Sequence, residues 1–292
     1  MNKLIENVTN IFGEQGSEWI NNLPNTVEAL AKHWQLRQIL PVDNMTYNYV
    51  AKAITSTNKP VVLKISCDKK SSGEEMQALM YFDGNASVRL LDHNEKYHAM
   101  LLDQAIPGTT LKSFYPAQIE YVMDCYAATM NKLHSKRLPS QHHYRHISDW
   151  LKAIDRLTAN HFPAGMFDHA IQIKNKLLST MQQELFLHGD LHHDNLIKNN
   201  DEWLTIDPKG IIGDAEFEIA AFDFIHPSEF HLQTGIKNLF AKRIDILAEK
   251  SKLNAARIKD WVFVRLILSA AWSIEDNCEI GWDIELAKSL VD

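Results

Sequence analysis

The chain is predicted to be α+β, with a small β-rich N-terminal half and a larger, mostly α-helical C-terminal half. Two observations carry that expectation. Short apolar runs of strand type dominate up to about residue 104, and apolar residues at helical spacing dominate after the Pro107-Gly108 turn. Composition is the third: 45% of the 292 residues are hydrophobic and 23% charged, enough apolar material for two lobes and no bias toward disorder.

In chain order, a leading helical segment over 1–34 is followed by strand-type runs at Gln35–Leu40, Tyr47–Ile54, Pro60–Ser66 and Ser87–Leu91. One helical pattern interrupts them near Glu74–Phe82. There Met76, Leu79 and Met80 recur at three and four residues, and Glu74 and Glu75 stand near the helix start. This first lobe spans 1–104. The second, 105–292, carries helical patterns at Ala117–His134, Ile147–Ala159, Ala164–Gln183, Ile236–Glu249 and Ala255–Trp272. Between them Leu185–Asp214 breaks the pattern with short apolar runs separated by His, Asp, Asn, Gly and Pro, the kind of loop on which chemistry is usually carried.

Several classes are excluded by composition. No run approaches the roughly 18 apolar residues of a bilayer span; Val262–Trp272 is broken by Arg265. The opening MNKLIENVTNIFGEQ lacks the apolar core and small-residue cleavage site of an export signal. Cys67, Cys125 and Cys278 are odd in number and far apart, which points to a reducing, cytoplasmic setting. A net charge of −7 argues against nucleic acid or an anionic membrane as partner and suits a cationic small molecule better.

The segment His188-Gly189-Asp190-Leu191-His192-His193-Asp194-Asn195 sets an aspartate five residues before an asparagine, and an apolar run then leads to Ile206-Asp207. Phosphoryl transfer needs one carboxylate to orient the attacking hydroxyl and oxygen ligands nearby to hold magnesium against the phosphates. Asp190 fits the first role, Asn195 and Asp207 the second. Upstream, Val61-Val62-Leu63-Lys64-Ile65 puts a lysine inside an apolar run, where a phosphate would justify the charge. Glu75, eleven residues on, can pair with Lys64, with Glu74 as its rival.

The order of these parts resembles the aminoglycoside phosphotransferases, within them the streptomycin 6-kinase and hydroxyurea kinase branch. The resemblance runs over nearly the whole chain, from Gly16-Ser17-Glu18-Trp19 through Val62-Leu63-Lys64, Pro107-Gly108 and His188-Gly189-Asp190. Its most specific piece is Trp203-Leu204-Thr205-Ile206-Asp207-Pro208-Lys209-Gly210-Ile211-Ile212-Gly213-Asp214. It implies a two-lobed, protein-kinase-like fold that uses ATP and magnesium to phosphorylate a hydroxyl of a small acceptor. It also implies a hinge near Leu101–Ala105, so that Leu102, Asp103 and Ala105 join Lys64 and Glu75 in nucleotide binding. Asp190 corresponds to the catalytic aspartate and Asn195 and Asp207 to the metal ligands. Lys209 stands where it can face the transferred phosphate.

Two departures from the family pattern are visible. The nucleotide-covering stretch Pro41–Asn48 contains no glycine, although Asn44 and Asn48 tolerate left-handed backbone. Ala215 and Glu218 stand where proline and aspartate are common, and both read as structural.

The acidic stretch Trp272–Asp283 offers Glu275, Asp276 and Glu279 to a cationic substrate, against the blander reading of a solvated helix end. A histidine metal site built on His188, His192 and His193 leaves the Lys64 strand and the Asp207 string unexplained. Of the three, His188 is expected to brace the loop and the His192-His193 pair to be partly solvated. His142, His143 and His146 are expected to be exposed. Rival readings are a silent nucleotide-binding module and a kinase for choline, a sugar or an amino alcohol.

Overall fold

The computed structural model describes residues 1–232, 235–276 and 278–291. It divides into two compact units, Met1–Gly108 with Lys198–Leu204, and Thr109–Ile197 with Thr205–Asp292.

The first unit opens with α1 (Asn2–His33), which is broken at Gly13, whose φ of 56° and ψ of −126° lie outside helical space. Glycine suits that position because a side chain there would be strained. Five strands follow: β1 (Arg37–Pro41), β2 (Asn48–Ile54), β3 (Pro60–Ser66), β4 (Leu90–Asn94) and β5 (Ala99–Asp103). They form an antiparallel sheet in the order β1-β2-β3-β5-β4, with β3 at the centre. Between β3 and β4 runs α2 (Lys69–Phe82), capped by the Asp68 carboxylate, which accepts from the Lys70 N–H at 2.9 Å. Leu4, Val8, Leu23 and Leu30 of α1 share one core with Ala51, Val61, Leu63 and Ile65 of the sheet.

The remaining strands are β6 (Pro107–Thr110), β7 (Arg145–His146), β8 (Leu185–Leu187), β9 (Leu196–Asn199), β10 (Glu202–Thr205) and β11 (Ile211–Gly213). In the first unit the Asn199 side chain accepts from the Ile106 N–H at 3.1 Å, and Asn200 N–H donates to Ile106 O at 2.7 Å.

The second unit is built from α3 (Ile119–His134), α4 (Ile147–Asp155), α5 (Met166–Ser179), α6 (Ala215–Ile219), α7 (Ile236–Ser251), α8 (Ala255–Glu275) and α9 (Asp283–Val291), with a small sheet in the order β7-β11-β8. Helix α8 is its hub, packing on α4, α5, α6, α7 and α9. Trp261, Phe217, Tyr126 and Phe240 fill the interior.

Several boundaries differ from expectation. The fourth strand lies at Leu90–Asn94, three residues later than its apolar run, and β5, α6, α9 and the short strands after β5 are additional elements. Helix α2 begins at Lys69, so Glu74 and Glu75 stand in its second turn; the Asp68 cap sets the start, which apolar spacing alone does not register. Asn44 and Asn48 are not among the left-handed residues, so the Pro41–Asn48 stretch is built without the backbone freedom that glycine supplies. That stretch is fastened at Met45, which is buried and whose Sδ accepts from Val50 N–H at 3.2 Å. Among the three linker histidines only His143 is exposed; His142 and His146 are half-buried, and His146 Nδ1 caps α4 by accepting from Ser148 N–H. No helix among the described residues is long and apolar enough to cross a membrane.

Candidate active site

In the first unit, β3 carries Lys64 into the interior, where it is 3% exposed and its Nζ lies 2.7 Å from Glu75 Oε1. Strand alternation puts Leu63 and Ile65 in the core, and Lys64 lies buried between them with Glu75 to compensate its charge. On neighbouring β5, Leu102 is buried and pairs with Val62 and Leu90, while the Asp103 carboxylate is held by Lys59. Ala105 follows, also buried.

In the second unit, the turn from β8 into the 188–195 loop needs Gly189, whose φ is +83°. A Cβ there would meet Ile211 at 3.0 Å and Trp150 at 3.2 Å, so a side chain is excluded by space as well as by backbone. Glu218, fully buried, accepts from the N–H groups of His188 at 2.7 Å and Gly189 at 2.8 Å. His134 Nε2 lies 3.3 Å from the same carboxylate. Burial pushes the Glu218 carboxyl up, but His134, His188 and the Gly189 amide more than offset this and hold it below the ordinary range.

His188 is fully buried; its Nε2 bonds Ile206 O at 2.8 Å and its Nδ1 faces the Asp190 N–H at 3.3 Å. Burial holds this imidazole below its ordinary value. The bracing expected of His188 is what the geometry provides. His193, in contrast to expectation, is wholly buried, stacked against Tyr115 and bonded through Nδ1 to Asp223 at 3.0 Å; aromatic packing from another part of the chain removes it from solvent.

The Asn195 amide nitrogen donates to Asp190 O at 2.9 Å, and Asn195 O accepts from Ile206 N–H at 3.0 Å, which ties the stretch before Asp207 to the loop. Asp207 adopts φ +59°, a left-handed conformation uncommon outside glycine, of the kind that clusters at functional sites. Lys209 is exposed, and its N–H donates to His188 O at 2.8 Å. These residues fit a magnesium bound jointly with phosphates, which needs only one or two carboxylates and other oxygen ligands from the protein. Among the described residues no three His, Cys, Asp or Glu side chains group as ligands.

Asp190 lines a cavity of about 390 Å³ inside the second unit. Asp194, Asp223 and Asp283 line it too, against two cations, Lys112 and Arg265. Lys112 pairs with Asp194 at 2.6 Å and Arg265 with Asp190 at 3.0 Å. Burial pushes the Asp190 carboxyl up, but Arg265, His192 and Lys209 together hold it below the ordinary range. Asp283 accepts a hydrogen bond from the Ser269 hydroxyl at 3.0 Å, and burial pushes its carboxyl up against the opposing pull of Ser269 and Arg265.

The cavity's acids differ from those proposed from sequence. Glu275 is engaged by Arg156 at 2.7 and 3.0 Å, and Asp276 and Glu279 are exposed and do not line this cavity. Asn277 of the same stretch lies outside the described residues. Asp223, Asp283 and Arg265 went unselected by sequence reasoning; the one available signal was Arg265 interrupting an apolar helix.

Comparison with known proteins gives a family. Residues 33–277 match the model of the aminoglycoside/hydroxyurea antibiotic resistance kinases. The chain is 27% identical to a streptomycin 6-kinase of Streptomyces glaucescens over 91% of this chain and 88% of that one. It is 25% identical to a hydroxyurea phosphotransferase of Kitasatospora aureofaciens, over 94% and 80% of the two chains. A crystal structure of a thermostable aminoglycoside phosphotransferase mutant, in ternary complex with ADP and hygromycin B, superposes with a TM-score of 0.66. It is 12% identical and covers 90% of this chain and 97% of that one, so it shares the kinase-like fold. The chain belongs to the aminoglycoside/hydroxyurea antibiotic resistance kinase family.

Proposed function

We propose that this kinase-family member transfers the γ-phosphate of ATP to a hydroxyl of a small cationic acceptor, an amino- or guanidino-sugar of the streptomycin kind. The observation that carries the reading is Asp190, on a loop locked by Glu218 and His188, facing a cavity whose aspartates outnumber its cations. One oxygen of Asp190 is taken by Arg265; the other accepts the hydroxyl's hydrogen bond and directs its oxygen at phosphorus. With its carboxyl below the ordinary range, Asp190 is a weak base that orients first and receives the proton as the new P–O bond forms.

Lys64, steered by Glu75, contacts the phosphates, and Lys209 adds positive charge beside the transferred group. Asn195, through Oδ1, and Asp207 would hold magnesium, which when bound neutralises phosphate charge. Leu102, Asp103 and Ala105 are assigned to the adenine by family resemblance. Asp283, with its carboxyl raised by burial beyond what Ser269 and Arg265 offset, gains a further counter-charge from an amine or guanidinium. A neutral acceptor such as hydroxyurea brings that carboxylate no added charge.

The test is an ADP-release screen over streptomycin-type sugars, choline, neutral sugars and hydroxyurea. Cationic sugars are expected to stimulate ATP consumption, and Asp190→Ala to lower it at least about 1,000-fold with ATP affinity held within about threefold. Undiminished consumption by the pure variant refutes the assignment, and turnover of hydroxyurea alone replaces the acceptor.

A further inference from the structure

Arg265 stands apart from every residue the motifs single out, yet it makes the closest charged contact with Asp190. It projects from the apolar helix α8, and its side chain is 11% exposed. Nη1 donates to the Gly189 carbonyl at 2.8 Å and Nη2 to Asp190 Oδ1 at 3.0 Å. The guanidinium fork thus holds the backbone of one residue and the carboxylate of the next, a two-point hold that fixes both the position of the Asp190 chain and the rotation of its side chain. A lysine, with a single ammonium, cannot span both acceptors in one geometry.

The fork is itself held. Its guanidinium carbon lies 5.2 Å from the Phe217 ring centre and 5.9 Å from those of Trp150 and Trp272. Trp150 and Trp272 meet edge to face at 5.4 Å, so the cage walls brace one another. Trp150 also lies against the space that a Cβ on Gly189 would occupy, which lets the arginine and the loop approach closely. Arg265 occupies Oδ1, while Asp190 Oδ2 lies 3.9 Å from His192 Nε2, and the residue lines the cavity.

We infer that Arg265 is a positioning residue for phosphoryl transfer: the caged guanidinium locks Asp190 in the one rotation that offers Oδ2 to the acceptor hydroxyl. The inference rests on the phosphotransferase reading and adds to it the group that aims its central carboxylate. A purely structural arginine, present only to neutralise a buried acid, predicts loss of stability and no selective effect on turnover.

The test uses the full chain with ATP, magnesium and the best acceptor of the screen. Arg265→Met keeps an unbranched side chain among the three rings and removes the fork. Its kcat is expected to fall about 100-fold, with KM for ATP within about twofold. Added guanidinium chloride, at concentrations that leave the wild type active, is expected to restore kcat at least about tenfold, and sodium chloride to restore none. Arg265→Lys keeps the charge and guards against a misfolded methionine variant. Its melting temperature is expected near that of the wild type, with kcat at least about tenfold lower.

Methionine or lysine variants with kcat within about threefold of wild type, a loss confined to KM, or equal rescue by sodium chloride overturn the positioning role alone. A wild-type chain that consumes no ATP with any acceptor overturns the phosphotransferase reading and this inference with it.

Discussion

Glu218 shows how much rests on single side chains. Its two oxygens serve the N–H groups of His188 and Gly189 and face His134, all without exposure to solvent. A buried donor left without an acceptor costs about 1–3 kcal/mol. Glu218→Ala strands two of them, so it is expected to lower unfolding free energy by about 3 kcal/mol in a urea titration and to lower kcat as the loop loosens. Stability within about 0.5 kcal/mol of the wild type contradicts this account. In sequence Glu218 was legible only as a structural residue standing in an aspartate's place. Its reach to the loop, thirty residues away in the chain, depends on where α6 docks.

At the scale of elements, two contacts do the positioning. One is β3 against α2, through Lys64 and Glu75, 2.7 Å apart and nearly buried. Removing one member of a buried ion pair leaves an uncompensated charge and costs about 3–5 kcal/mol, whereas replacing both with apolar groups is often neutral. Lys64→Met is therefore expected to destabilise by about that amount. Lys64→Met/Glu75→Leu is expected to recover most of the melting temperature while remaining inactive. A double variant as unstable as the single, or one that turns over, contradicts the pairing or its role. The lysine was legible as a charge inside an apolar run. The choice between Glu74 and Glu75 was not, because neighbouring residues on a helix point about 100° apart and only the packed orientation of α2 selects one. The second contact is α8 against the 188–195 loop. Its periodicity identifies a buried helix and is silent on the target of Arg265, which is set by the packing of α8 on α4 and α6.

For the whole molecule, a set of partnered acids and the buried His188 set the response to pH. His188 lies below its ordinary 6.5 because burial favours the neutral ring, so the unfolded chain binds the extra proton and stability falls as pH drops through that value. Glu218, Asp190, Asp223 and Glu229 lie below their ordinary ranges; the stability they contribute is complete above those ranges and lost as pH falls through the folded values. Asp283 acts in the opposite sense. The thermal midpoint is therefore expected to be flat near neutrality, to decline below the ordinary histidine value and to steepen below the carboxylate range; a midpoint that rises on acidification contradicts the balance. By itself the amino-acid sequence determined the α+β class, most of the helices, the first four strands, the family and the polar residues of the 188–207 segment, because periodicity, turn residues and motif spacing are local properties of the chain. Only the tertiary structure decided which acids line the cavity beside Asp190, which glutamate meets Lys64, that His193 is buried and that Arg265 grips the loop. Those outcomes depend on side chains 11, 30 and 75 residues apart being brought to 2.7–3.0 Å, and such distances are set by how helices and strands pack and leave no periodic trace in sequence.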